Sequence, residues 1–191
     1  MNEMMKLQKK LQEKLPPYRY HHTLGVSYTA AALAMRYDAD IKKAELAGLL
    51  HDCAKYLKGE EMLAECKKYG IAINEFEAAF PELLHAKLGA YYAEHVYGVS
   101  DSEILSAIIC HTTGKPNMSL LEEILFVADY IEPSREGIAS LDIVRKIAFK
   151  DLHKAAFYEL KYTLSHLKEK NAVIDTTTEE TYEFYLSLTE G

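Results

Sequence analysis

The chain has 191 residues, of which 49% are apolar and 27% charged; this is enough to bury one core of ordinary size and excludes disordered or collagen-like chains. Only 5 prolines and 9 glycines interrupt it, and long stretches of Ala, Leu, Glu and Lys favour helix, so an all-α fold is expected. A formal charge of -7 denies the chain the broad basic field that gripping nucleic acid phosphates requires.

Breakers and caps divide the chain into helices. An amphipathic lead helix over 4–15 stops at Pro16 and Pro17, because proline lacks the amide donor. In 18–36, Val26, Ala30, Leu33 and Ala34 recur at helical spacing and form one face. Asp40 reads as the N-cap of a helix over 41–56, ended by Lys58 and Gly59. A helix over 60–69 closes at Gly70, a short one over 74–80 stops at Pro81, and 82–97 runs to Gly98. Asp101 caps 102–111, residues 112–117 form a turn, and Ser119 with Glu122 makes a capping-box start for 120–131. After a break at 133–137, helices over 141–170 and 177–188 complete one domain spanning 1–191. No apolar run approaches the roughly 20 residues that span a bilayer, and residues 1–14 lack a signal-peptide core. No membrane partner and a cytoplasmic location are expected. Cys53, Cys66 and Cys110 form no CxxC pair and are expected as reduced thiols.

The chemistry lies where polar residues interrupt apolar helices. His51-Asp52 follows Leu49-Leu50, His85 follows Leu83-Leu84, His111 follows Ile108-Ile109-Cys110, and Asp129 follows Leu125 to Ala128. His22 opens the helix whose next turns, Val26 and Ala30, face the core. Burying such groups without partners costs several kcal/mol. A His-Asp dipeptide alone is weak evidence, and a single core histidine is more often hydrogen-bonded than a ligand. Four histidines and two aspartates from five helices are different, since one shared metal centre satisfies them all. His95, His153 and His166 read as surface residues, and Lys87 and Lys115 as ordinary surface cations. From the residues alone the reading reaches a metal-dependent phosphoester or phosphoanhydride hydrolase.

The order His22, His51-Asp52, Asp129 resembles the H...HD...D signature of the HD-domain metal phosphohydrolase superfamily, with Lys55 three residues after the dyad. The runs His21-His22-Thr-Leu-Gly-Val, Gly48-Leu-Leu-His-Asp-Cys-Ala-Lys55, His85-Ala-Lys-Leu-Gly-Ala90, Cys110-His-Thr-Thr-Gly114 and Ala128-Asp-Tyr-Ile-Glu-Pro-Ser-Arg135 resemble those of the bacterial YqeK-type symmetrical diadenosine tetraphosphatases. The likeness covers about 17–135 and is looser from Leu141 onward. It implies a compact HD-domain helical bundle with its motif-bearing core at about 17–135 and C-terminal helices over 141–191. It further implies that His22, His51, Asp52 and Asp129 hold the principal metal and that Asp52 bridges to a second ion. His85 and His111 are then ligands of that ion or contacts to the substrate phosphates.

Mixed imidazole and carboxylate ligands suit iron, manganese, cobalt or zinc and argue against an oxygen-only magnesium or calcium cage; the resemblance favours iron, as one ion or two. Asp52, Lys55, His85 and His111 are the expected catalytic set. Arg19, Lys55 and Arg135 are expected to neutralise the phosphates together with His85 and His111. The polar turn from Asn171 to Thr176 is the candidate for reading a base. The resemblance implies attack of metal-activated water on diadenosine tetraphosphate, giving two ADP. A nucleotidase acting on mononucleotides and a non-catalytic nucleotide-binding regulatory domain are the alternatives. The expected partner is a small-molecule dinucleoside polyphosphate or nucleotide, with a homodimer left open.

Overall fold

Prolines and capping side chains set where the helices begin. The computed structural model describes residues 3–189, and among them there is no strand. Helix α1 (Glu3–Lys14) stops before the proline pair, and Pro17 opens α2 (Pro17–Arg36), where a missing amide proton costs nothing. Asp40 accepts from Lys42 N and Lys43 N at 2.9 and 3.0 Å and starts α3 (Ile41–Leu50). After α4 (Gly59–Lys68), Asn74 caps α5 (Glu75–Ala79), and a 3₁₀ turn at Pro81–Leu84 leads into α6 (His85–His95). Asp101 caps α7 (Ser102–Cys110), and Ser119 with Glu122 forms the expected capping box of α8 (Leu120–Ile131). Helices α9 (Leu141–Ala148), α10 (Leu152–Glu169) and α11 (Thr176–Thr189) follow.

The all-α expectation holds, but four boundaries differ. The helix expected over 41–56 ends at Leu50, and residues 51–56 continue as turns whose amides reach back only three residues, as in Cys53 N to Leu50 O at 3.1 Å and Lys55 N to Asp52 O at 2.9 Å. Gly59 opens α4 instead of ending its predecessor, because the Glu61 carboxylate accepts from Lys58 N at 2.8 Å. The stretch 82–97 begins with a 3₁₀ turn, so His85 is the first α-helical residue. The stretch 141–170 splits in two, because Asp151 accepts from Lys154 N at 2.9 Å and starts α10 afresh.

Helix α2 lies along α3 and α8, α7 packs on α3, α6 and α8, and α10 carries α9 and α11 on its flanks. Leu33, Leu49, Leu50, Ile108, Ile124 and Leu125 are fully buried where these helices meet. The approach of α3 to α2 depends on Gly48, since a methyl group there would lie 2.7 Å from Ser27 Cα and 2.9 Å from Ser27 N. Helix α11 is tied to α8 by the buried Glu123, which accepts from the Tyr185 hydroxyl and from His153 Nδ1. His153 is exposed as expected, yet it has this buried partner. All three cysteines are free and buried. Among the described residues no helix is long and apolar enough to cross a membrane.

Candidate metal centre

Five elements bring the interrupting residues to one point. His22 comes from α2, His51 and Asp52 from the turn that ends α3, His85 from the start of α6, His111 from the end of α7 and Asp129 from α8. The four histidines and Asp52 are each less than a tenth exposed. The tight turns after Leu50 matter here, because adjacent residues of a regular helix diverge by about 100°, whereas His51 and Asp52 are both directed into the centre.

Asp52 is the hub. Its Oδ2 lies 3.5 Å from His51 Nε2 and 3.9 Å from His22 Nε2, while its Oδ1 lies 3.5 Å from His85 Nε2 and 3.7 Å from His111 Nε2. One carboxylate thus serves two pairs of imidazoles. Asp129 Oδ1 completes the first group, 3.0 Å from His22 Nε2 and 3.8 Å from His51 Nε2. His22, His51 and Asp129 can hold one ion, and His51, Asp52 and His111 form a second overlapping set.

The Nδ1 atoms fix the tautomers. His51, His85 and His111 donate Nδ1–H to the carbonyls of Gly48, Glu82 and Ile108 at 2.7, 2.6 and 2.7 Å, and His22 donates to Glu132 Oε1 at 2.9 Å. In the neutral form of each ring Nε2 therefore carries the lone pair, directed into the centre. The Nε2 atoms of His22 and His51 are buried without a hydrogen bond, and those of His85 and His111 face each other at 3.1 Å. Buried acceptors turned towards one another and towards carboxylates are unfavourable unless a cation lies between them. The donor set therefore fits a divalent metal of imidazole and carboxylate preference.

Burial raises the Asp52 carboxyl, but His51, His111 and His85 together outweigh it and hold Asp52 well below the usual carboxylate range. Burial also pushes His85 well below an ordinary imidazole, with His111 and Lys55 adding to the effect. Lys55 is lowered by burial and partly restored by Asp52. The cations gather at the rim. Arg19 Nη1 donates to Asp52 Oδ2 at 2.7 Å, and Arg135 Nη2 donates to Asp129 Oδ1 at 2.7 Å.

A cleft of about 250 Å³ borders the His85 side and is lined by Thr112, Thr113, Lys87, Lys115, Asp175 and Thr177. Thr112 joins cleft to centre, its hydroxyl lying 3.1 Å from His85 Nε2 and 3.2 Å from His111 Nε2. Lys87 and Lys115 pair with Glu77 and Glu122 at 2.7 and 2.6 Å and are more than loose surface cations. Of the polar turn after α10, Asn171 is exposed with φ 50 and ends the helix, and Thr176 is also exposed. Their neighbours Asp175 and Thr177 are the residues that reach the cleft. Asp175 lies within the turn that the sequence singled out, whereas sequence reasoning missed Thr112, Thr177 and Glu132.

The model of the HD domain matches residues 19–134, which include His22, His51, Asp52, His85, His111 and Asp129. The chain belongs to the HD-domain family. This HD-domain protein is 43% identical over 181 residues to a Bacillus subtilis protein named "Bis(5'-nucleosyl)-tetraphosphatase, symmetrical", covering 93% of this chain and 94% of that one. A Halalkalibacterium halodurans protein of the same name is 44% identical over 170 residues, covering 88% and 89%. The crystal structure of a predicted HD superfamily hydrolase involved in NAD metabolism from Clostridium acetobutylicum superposes on the HD-domain protein with a TM-score of 0.91 at 41% identity, covering 95% and 96% of the two chains.

Proposed function

We propose that this HD-domain protein is a metal-dependent phosphoanhydride hydrolase that cuts diadenosine tetraphosphate symmetrically into two ADP. The observation that carries the reading is Asp52, one carboxylate presented to two imidazole pairs with guanidinium groups at the rim. The names of the full-length relatives support the substrate and the position of the cut. A divalent ion, which we take to be iron, would be held by His22, His51, Asp52 and Asp129, with His85 and His111 completing a second position around Asp52. When bound, such an ion makes water acidic enough to ionise near neutral pH and draws charge from the phosphoryl oxygens.

The chain's own residues supply the rest. Arg19 and Arg135 lie beside the two carboxylates and offer forked donors to the phosphates, which a planar guanidinium matches in pairs. Lys55, half-buried and close enough to Asp52 and Asp129 to feel their charge, adds a cation beside the centre. His85, kept as a neutral imidazole because burial holds its pKa down, is suited to ligate through Nε2. The Thr112 cleft is the seat we assign to one nucleoside, with Asp175 and Thr177, from the end of the polar turn and the start of α11, as polar contacts. The substrate is a soluble nucleotide, and we place the protein in the cytosol.

Hydrolysis in oxygen-18 water tests the reading. Two ADP, with label in only one of them, is the expected result. AMP plus ATP as first products would end the symmetrical assignment and leave the hydrolase standing, and no turnover of any nucleotide with iron, manganese or cobalt supplied would end both.

A further inference from the structure

Three of the four converging histidines are oriented locally, by the carbonyl three residues earlier in their own turn. His22 is the exception. It sits inside the regular helix α2, and its Nδ1–H reaches a side chain 110 residues away, Glu132 Oε1 at 2.9 Å. Glu132 lies just beyond α8 and is 1% exposed. Its carboxylate is itself held, because Ser134 N donates to Oε2 at 2.7 Å and the Ser134 hydroxyl donates to Oε1. Arg145 fastens the same loop by donating to the backbone carbonyls of Ile131, Glu132 and Arg135 at 2.9, 2.8 and 3.0 Å. Across the helix interface stands Gly25, where a methyl group would lie 2.3 Å from Glu132 Oε2. The carboxylate occupies the space that glycine leaves.

We propose that Glu132 is a positioning residue of the metal centre, seated by Ser134 and Gly25, which holds His22 in the tautomer whose Nε2 can ligate. The inference rests on the metal reading above. A carboxylate behind a ligating imidazole fixes ring orientation and raises basicity, and its loss weakens metal binding about 10- to 100-fold. Glutamine substitutes only in part. Three donors, His22 Nδ1, Ser134 N and the Ser134 hydroxyl, converge on the two oxygens of Glu132, whereas glutamine offers one oxygen and an NH₂ that donates. If that NH₂ faces His22, Nδ1 must accept and the proton moves to Nε2, which then cannot bind an ion.

The test uses the full chain with E132Q, E132A, G25A and the double variant G25A/E132A. Nitrogen-15 NMR of the metal-free proteins, at a pH where the ring is neutral, reads the His22 tautomer, and competitive chelator titration reads cobalt affinity. Thermal melting of the metal-free proteins identifies any variant that fails to fold. Wild type is expected as the Nδ1–H tautomer; E132A is expected to lose that preference, because Asp129 Oδ1, 3.0 Å from Nε2, is then the remaining carboxylate at the ring, and to bind cobalt about 10- to 100-fold more weakly, with E132Q between wild type and E132A. G25A leaves the charge in place and is expected to show the same loss, and the double variant should be no weaker than E132A, since both changes act through one contact. Variants folded, with wild-type tautomer and cobalt affinity within about twofold, would overturn the proposal alone. Failure of wild type to bind cobalt, manganese or iron would remove the metal reading and this inference with it.

Discussion

Replacing Gly48 with alanine adds one methyl group where α3 crosses α2. The methyl would lie 2.7 Å from Ser27 Cα, whereas carbon atoms pack comfortably from about 3.5 Å, so the helices must part by roughly 0.8 Å. The obstructing atoms, Ser27 Cα, Ser27 N and the Val26 carbonyl carbon, all belong to the backbone and have no rotamer to retreat into. Overpacking of this kind costs about 1–3 kcal/mol, and the rigidity of the obstacle points to the upper part of that range. The better helix propensity of alanine returns about 1 kcal/mol. A net loss of about 1–2 kcal/mol corresponds, for a chain of this size, to a fall in Tm of about 3–6 °C. The effect should reach the site as well, because the Gly48 carbonyl holds His51 Nδ1 and α2 carries His22. Calorimetry with and without cobalt measures both parts: the metal-free Tm should drop, and the gain in Tm on adding cobalt should shrink relative to wild type. A Tm at or above the wild-type value would show that the interface yields freely and would refute the reasoning.

Asp52→Ala should abolish both hydrolysis and metal retention, since it removes the one carboxylate shared by the two imidazole pairs, whereas the exposed His166→Ala should stay within about a factor of two in rate; elemental analysis and product assay check both. Arg135→Ala should raise KM or lower kcat while the ion is retained, and Arg135→Lys should rescue only in part because an ammonium cannot make the forked pair, with metal loss in either variant pointing to a structural role instead. Glu159 is buried with Oε2 unpaired, and its pKa is raised well above the ordinary 4.5, mainly by burial, with Asp129 adding to the rise and Arg135 opposing it. The native state therefore holds this proton more tightly than the unfolded chain does, so its contribution is fully present below about pH 4.5 and is lost as pH rises toward the folded value, at up to about 1.4 kcal/mol per pH unit. Glu159→Gln should thus raise Tm over wild type by an amount that grows from pH 5 to pH 8, and a pH-independent difference would contradict the assignment.

How much was legible follows from what signals burial in a sequence. His51, Asp52, His85, His111 and Asp129 stood out because each breaks an apolar run, and the structure draws them together with His22. Glu123 and Glu159 break such runs too, and the same criterion applied to carboxylates would have found them. Glu132 was not legible in that way. It sits between Ile131 and Pro133 in a loop, and its burial depends on Gly25 and Ser134 folding around it, which no periodicity encodes. No glycine or proline follows Leu50 to announce the early end of α3, and the break before α10 rests on the Asp151 cap alone. The cleft beside Thr112 depends on α11 meeting the turn after α7, a long-range contact invisible to local pattern.

The carbonyl anchors of His51, His85 and His111 belong to their own turns, so the orientation of these three imidazoles is a property of the helices and not of the ion. An incoming metal would find these donors already directed inward. Geometry then discriminates weakly among iron, manganese, cobalt and zinc, and occupancy follows relative affinity and supply. A protein loaded with any of these ions would keep its fold and escape the quality control that removes unfolded chains. The ion it carries would then track the trace-metal content of its surroundings, with no dedicated sensor required.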